Sequence, residues 1–389
     1  MNVSNLLDSS PDHRGLLQYF FDRMTLKLVP HNQPLNPLRT ILVPMALHNE
    51  GLLSVLLAAA GENRAVSRRN PSPEVLIRSL LSRGYETLRM SFNDQSLIST
   101  DEILALLAAF VDHEVSWRKT SFTRSWRVYL QMASKVIESR QQDIRESKRL
   151  RFLIKWLAYF DVIASITSPK YSTLFKGAYW VFDDDPEDEY VLDPYMGFLQ
   201  IIMPSLIQIG EVIRMKRQQT DTASEAEVNE LAAEIEKTRE MMNKMRESPR
   251  HAFVPAGTSE ELSLQLQACA AAYYNAGMLH FYRRVEDVPT ESILVQTEVK
   301  NILYLINQIP SGSGPETALL FPLFTAGCEV IDESDRDFIL MRLENLEKLG
   351  SGNSVKAIEV LGRIWKARSD GSSKADVVLY DPDLDLNLA

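Results

Sequence analysis

The densest group of chemically capable side chains is an acidic run of four aspartates and one glutamate: Asp183, Asp184, Asp185, Glu187 and Asp188. Carboxylate oxygens are the ligands that Mg²⁺ prefers, and a bound Mg²⁺ can hold a diphosphate during turnover. Pro186 interrupts the run, so the carboxylates cannot share one continuous helical face. The pattern therefore favours a solvated acidic loop, and a magnesium-dependent all-α enzyme is the least favoured of three functional hypotheses.

Histidine and cysteine form no recognisable catalytic or zinc-binding pattern. The six histidines are scattered along the sequence, with no pair at the i, i+4 spacing of a helical zinc site. We therefore expect His113 to be an exposed helical residue. The two cysteines, Cys269 and Cys328, lie in apolar stretches that predict buried and unreactive thiols. Phosphate-binding glycine loops and nucleophile-elbow motifs are also absent from the sequence, so we predict no catalytic residue, no metal site and no cofactor.

Four large aromatic residues have two possible roles. Trp126, Trp156, Tyr159 and Phe160 lie in segments with helical spacing and could line a ligand cavity. Aromatic residues at this spacing more often belong to the packed core. A structure with a measurable cavity would separate the two interpretations.

The C-terminal tail alternates acidic with apolar residues. Its candidate docking residues are one tyrosine and three leucines: Tyr380, Leu384, Leu386 and Leu388. This composition is typical of transcriptional activation segments, in which the acids keep the segment solvated while the apolar side chains dock in a partner groove. The alternative is a tail that frays or packs back on the body of the protein.

Helical periodicity runs through almost the whole chain, whereas the alternation typical of strands is nearly absent. We predict an all-α fold of stacked antiparallel helices that form an α-helical array or superhelix. The expected organisation is a disordered N-terminus at 1–14, an all-helical domain at 15–368 and the acidic-apolar tail at 369–389. Within the domain, 217–251 is polar and free of aromatic residues, which predicts a charged helical insert on the surface.

Composition and charge restrict the partners that this chain can take. Apolar residues make up 45% of the 389 residues, which is sufficient for a large core. The net charge of −10 repels the phosphate backbone of DNA, so we expect contact with DNA only indirectly. The most apolar stretch, 41–60, is interrupted by Pro44, His48, Asn49 and Glu50, so we expect no membrane-spanning helix.

Several segments, taken in order, resemble the fungal-specific transcription factor domain of the second common type, the regulatory region that follows a binuclear Zn₂Cys₆ cluster. The most specific motif is FPLFTAGCE at 321–329 with Arg336 and Trp365, and LHFYRRV at 279–285 is one of the segments that support it by their order. The residues that carry the resemblance, and for which we expect packing roles, are Asn36, Pro37, Asp161, Pro322, Gly327, Cys328, Arg336 and Trp365.

The resemblance implies an all-α regulatory domain that dimerises, can sense a small-molecule effector and resides in the nucleus, with the cytoplasm as a second location. Its expected partners are a second copy of the chain or the transcription machinery. The sequence departs from the family in lacking the six cysteines of the zinc cluster. The first hypothesis is therefore the regulatory domain of a fungal transcription regulator without its own zinc cluster, and the alternative is a helical interaction scaffold with no role in transcription.

Overall fold

The computed structural model describes residues 3–27, 36–68, 70, 73–93, 98–117, 125–139, 147–168, 171–182, 192–220, 222–247, 254, 258–370 and 387–389. The first eight α-helices within these ranges are α1 (Val3–Asp8), α2 (Pro11–Tyr19), α3 (Thr25–Lys27), α4 (Val43–Ala46), α5 (Glu50–Ser67), α6 (Glu74–Asn93), α7 (Thr100–Trp117) and α8 (Trp126–Glu138). The next eight are α9 (Lys148–Thr167), α10 (Leu199–Gln218), α11 (Glu225–Glu247), α12 (Glu260–Arg284), α13 (Ile293–Asn307), α14 (Leu320–Glu329), α15 (Glu333–Leu349) and α16 (Gly352–Ser369).

Short π-helical and 3₁₀ segments complete the helical structure: Phe20–Met24, Leu38–Leu42, Lys176–Phe182 and Pro315–Ala318. The described ranges contain no β-strand, and their only extended pairing is an isolated bridge between Asp193 and Gly197. The predicted all-α array is confirmed.

Side-chain caps fix where several helices begin. The Asn49 side chain accepts a hydrogen bond from the Leu52 amide at 2.9 Å at the start of α5. Ser99 precedes α7, and its amide donates to the Glu102 carboxylate at 2.9 Å while its hydroxyl accepts from the Glu102 amide at 3.4 Å. This reciprocal capping box satisfies two amides that the helix itself leaves without partners.

The core is built around α5, which is buried on almost every side. Its segment from Leu52 to Ala60 is fully covered, as the all-round apolar sequence predicts. Helix α6 approaches α5 closely at Gly84, where an added Cβ would lie 2.5 Å from Val55 Cγ2. Helices α7 and α9 also contribute long buried faces, so the central layer consists of these helices with the others around them.

The beginning of the chain differs from the expected disorder at 1–14. Residues 3–14 fall within α1 and α2 and the turn between them. Leu6 is only 2% exposed, and the buried His13 ring donates through Nδ1 to the Leu6 carbonyl at 2.7 Å. Leu6 packs this segment on the core, and the His13 hydrogen bond joins α2 to α1.

The polar segment 217–251 contains one long surface helix, α11. Leu231, Thr238 and Met242 form its buried face against the body, whereas Val228 is 44% exposed. The Tyr274 hydroxyl of α12 donates to the Met242 carbonyl at 2.9 Å. The apolar face of α11 therefore begins at Leu231 rather than at Val228.

Among the described helices, none combines the length and the apolar character needed to cross a membrane.

Candidate functional site

Glu329, the last residue of α14, joins four parts of the C-terminal half. Its carboxylate accepts hydrogen bonds from Arg283 Nε at 2.9 Å and from the Thr290 hydroxyl at 2.6 Å. Arg368 Nη2 lies 3.4 Å from the same carboxylate oxygen. The Glu329 side chain is 8% exposed, so water screens these charge-assisted contacts little. They connect α12, α14, α16 and the residues preceding α13.

Three of the residues that carry the family resemblance lie beside this carboxylate: Gly327, Arg336 and Trp365. Trp365 Nε1 donates to the Gly327 carbonyl at 2.8 Å. A Cβ on Gly327 would lie 2.7 Å from Leu361 Cδ1, so glycine allows α16 to approach α14. The Arg336 guanidinium lies 5.4 Å from the centre of the Trp365 ring, a cation–π distance.

Pro322 and the two cysteines have packing positions. Pro322 is the third residue of α14, where the helix requires no amide donor. Cys328 is 6% exposed and Cys269 is 3% exposed. Burial raises the pKa of the Cys269 thiol to about 12, so this sulfur stays protonated. The buried thiols expected from the sequence are confirmed.

A cavity of about 430 Å³ is lined mainly by residues of the segments 279–285 and 321–329. His280 lies on its wall and shares a hydrogen bond of 3.1 Å with the Thr325 hydroxyl. Burial lowers the pKa of His280 well below its ordinary value, and the nearby charge of Arg284 adds to this effect. Because Arg283 binds Glu329 and Arg284 donates to the Ile166 carbonyl, the arginines on this wall have internal partners. The cavity is polar, and its charges are largely compensated within the protein.

Asp161 is a buried carboxylate without a cationic hydrogen-bond partner among the described residues. It accepts hydrogen bonds from the Tyr171 and Tyr179 hydroxyls, both at 2.6 Å. The amides of Leu174 and Phe175 donate to it at 3.0 and 3.1 Å. Burial raises the pKa of Asp161, although these four donors oppose the shift. Asp161 therefore anchors the segment after α9 to the helix, which is a structural role.

Asn36 and Pro37 order the chain before α4. Asn36 Nδ2 donates to the Thr25 carbonyl at 2.7 Å, and its side-chain oxygen accepts from the Leu38 amide at 3.0 Å. Asn36 is fully buried and Pro37 is buried beside it. The asparagine side chain therefore satisfies one backbone group of Thr25 and one of Leu38.

A second cavity, which we call the central cavity, lies where helices from the first and last parts of the sequence meet. Its volume is about 130 Å³. The lining is mostly apolar or weakly polar and includes Met24, Asn63, Asp112, Ser116, Tyr159, Phe160, Tyr195, Leu320, Leu349 and Ala389. These residues come from α5, α7, α9, α14, α15 and from segments far apart in the sequence, so the cavity exists only in the folded protein.

Asp112 provides the only charged side chain among the described residues that line this central cavity. Burial raises its pKa to about 7, and the adjacent His113 opposes the shift. No hydrogen bond or ion pair joins its carboxyl to another residue in the described part of the chain. The hydroxyl of Tyr195 on the same wall stays protonated because burial raises its pKa well above 10.

The expectation that His113 is exposed is wrong. The side chain is 2% exposed, and its Nε2 lies 3.0 Å from Glu62 Oε2 on α5. Burial alone would lower the pKa of His113, but the hydrogen bond and charge of Glu62, together with the charge of Glu114, raise it. The sequence signal that could have revealed this pair is an acidic residue within the apolar stretch of α5.

The aromatic residues divide between the two roles considered for them. Trp126 and Trp156 are 1% and 3% exposed and belong to the core. Tyr159 and Phe160 lie on the wall of the central cavity. The Tyr159 hydroxyl lies 2.7 Å from the Tyr273 hydroxyl, and this hydrogen bond links α9 to α12.

The final residues pack on the body rather than extending from it. Leu388 is 1% exposed, and Asn387 Nδ2 donates to the Phe160 carbonyl at 3.3 Å. Leu388 is therefore not available for partner docking in this arrangement. The other candidate docking residues, Tyr380, Leu384 and Leu386, lie outside the described residues, as does the acidic run 183–188.

Within the described ranges, no three His, Cys, Asp or Glu side chains are grouped to hold a metal ion.

Comparison with known proteins identifies one family. The model of the fungal specific transcription factor domain matches residues 15–389, nearly the whole chain. No curated protein and no solved structure matches the sequence. The segments that form the Glu329 cluster and both cavities all lie within the matched range. The chain belongs to the fungal specific transcription factor domain family.

Proposed function

We propose that this chain is the effector-sensing regulatory domain of a fungal transcription regulator and that it acts in the nucleus through protein contacts. The family match over residues 15–389 is the observation that carries the proposal. The partners we propose are a second copy of the chain and the transcription machinery, with DNA contacted only through them or through another domain. The negative net charge agrees with this indirect relation to DNA.

The central cavity is the proposed effector site. It is bounded by Met24 and Asn63 from the first part of the chain and by Leu320 and Leu349 from the last part. A ligand that fits only one arrangement of these helices shifts the population towards that arrangement. The cavity is therefore a place where binding of a small molecule can change the surface that the domain presents to partners.

A tethering experiment tests the regulatory role. The full chain is fused to an unrelated DNA-binding domain and directed to a reporter promoter, with the DNA-binding domain alone as the reference. We expect the fusion to change reporter output. Glu329→Gln keeps the side-chain shape but removes the charge that binds Arg283 and Arg368, so it should weaken this change. Glu333→Gln, on the exposed first residue of α15, is the matched control and should behave as the wild type.

Unchanged reporter output from a fusion that is expressed and folded would contradict the regulatory proposal. Co-purification with structural chromatin proteins in place of the transcription machinery would then favour the interaction scaffold.

A further inference from the structure

The central cavity contains one acidic side chain and no basic one among the described residues. The cavity wall includes a carboxyl from Asp112 and hydroxyls from Tyr159 and Tyr195, but the described lining residues include no arginine, lysine or histidine. Burying a carboxyl without a cationic or hydrogen-bonding partner is unfavourable. A cation that enters the cavity would therefore find a carboxylate that forms no ion pair or hydrogen bond with the described residues.

We propose that the central cavity binds a small organic amine, with the Asp112 carboxylate as the ion-pair partner of its ammonium group and the aromatic residues Tyr159, Phe160 and Tyr195 around its body. The inference rests on the proposed effector-sensing function and gives the chemical class of the effector.

The aromatic residues favour a cation over a neutral polar ligand. An ammonium group within about 6 Å of an aromatic ring gains electrostatic stabilisation from the ring face. The Tyr159 hydroxyl is already hydrogen-bonded to Tyr273, so this residue offers its ring rather than its hydroxyl to a ligand. The Tyr195 ring is held by an edge contact with Phe152 at 5.5 Å between centroids and is therefore preorganised.

The volume limits the body of the amine. The cavity measures about 130 Å³, whereas an engineered protein cavity of about 150 Å³ holds one benzene molecule. A ligand whose body is about the size of one six-membered ring is therefore matched to this volume, with its amino group directed at Asp112 on the wall.

The experiment measures binding of benzylamine to the full chain by calorimetry and by the shift in thermal unfolding temperature. Benzyl alcohol and benzoate are the neutral and anionic probes of the same shape. We expect benzylamine to bind and to raise the unfolding temperature, and benzoate not to bind. Benzyl alcohol should bind at least about tenfold more weakly than benzylamine, because it carries no positive charge to pair with the Asp112 carboxylate.

Two variants locate the interaction. Asp112→Asn preserves the size of the side chain but removes its charge, and it should weaken benzylamine binding by at least about tenfold. Asp101→Asn removes a carboxylate at the start of the same helix, outside the cavity lining, and should leave the affinity for benzylamine unchanged. The Asp112→Asn protein has no charge to bury at this position, so we expect it to fold.

Three outcomes would overturn the inference: no binding of benzylamine, equal binding of benzyl alcohol, or unchanged benzylamine affinity in Asp112→Asn. The reporter experiment separates this failure from failure of the proposed function. If the tethered chain regulates a promoter but does not bind benzylamine, the regulatory proposal stands and the amine proposal is contradicted. If the chain binds benzylamine through Asp112 but never changes reporter output, the amine site stands and the regulatory proposal is contradicted.

Discussion

At the scale of single residues, Asp112 and His113 are neighbours on α7 with different environments. The Asp112 carboxyl lies on the wall of the central cavity, whereas His113 is 2% exposed and faces Glu62 on α5. Their order in the sequence gives no indication of this difference, because each environment is formed by helices that are distant along the chain. Whether an ionisable residue on an apolar helix is exposed or buried depends on a partner that local spacing does not identify.

Asp112 makes stability depend on pH in a defined direction. Its ordinary pKa is 3.8 and its pKa in the folded protein is about 7. Because the folded state retains the proton to higher pH than the unfolded chain, this residue is favourable for folding at low pH and costs stability as the pH rises from about 4 to about 7. Above pH 7 the loss of folding stability that Asp112 causes is complete.

We therefore predict that Asp112→Asn stabilises the protein at pH 8 by about 1–2 kcal/mol, since solvent in the cavity screens part of the buried charge. At pH 4 the two proteins should differ little. Urea unfolding at both pH values measures the difference. A variant that is equally destabilised at pH 4 and pH 8 would show that the carboxyl has a protein partner.

At the scale of elements, the positions of helices were largely predictable and their mutual contacts were not. The apolar spacing at 148–167 predicts α9, and the sequence Ser99–Thr100–Asp101–Glu102 predicts the N-terminal cap of α7, as the structure confirms. The apolar pattern over about 316–331 predicts one helix, but the structure divides this segment into a 3₁₀ turn at Pro315–Ala318 and α14. Apolar periodicity cannot locate such a break, because both helix types bury a similar face.

Helix α14 provides a prediction about close packing. In Gly327→Ala, the new Cβ would meet Leu361 at 2.7 Å, so we expect destabilisation by about 1–3 kcal/mol from overpacking. Gly362→Ala on α16 is the matched control, because nothing lies within 4 Å of its added Cβ. The control should stabilise the protein by about 0.5–1 kcal/mol through the higher helix propensity of alanine. Equal effects of the two substitutions in chemical denaturation would contradict the close approach of α14 and α16.

At the scale of the whole molecule, contacts between the two ends of the sequence close the structure around the central cavity. Asn63 Nδ2 donates to the Leu349 carbonyl at 3.2 Å, and its oxygen accepts from the Tyr19 hydroxyl at 2.7 Å. The sequence indicates an all-α domain and its family, but the pairing of Asn63 with Leu349, which are 286 residues apart, required the structure.

The packed C-terminal residues give a prediction at the same scale. Because Leu388 is 1% exposed, Leu388→Ala should destabilise the protein by about 2 kcal/mol. The control Leu294→Ala replaces a leucine that is 53% exposed and should have little effect. Thermal unfolding of both variants measures the difference. If the Leu388→Ala protein is as stable as the wild type, Leu388 does not pack on the body and remains a candidate docking residue.

The central claim is that the helical body is itself a transcription regulator, and reporter output from the tethered full chain tests it most directly. The account predicts that the fusion shifts output away from the level set by the DNA-binding domain alone and that Glu329→Gln reduces this shift. Output identical to that of the DNA-binding domain alone, from a fusion of confirmed abundance and helical content, would contradict the claim.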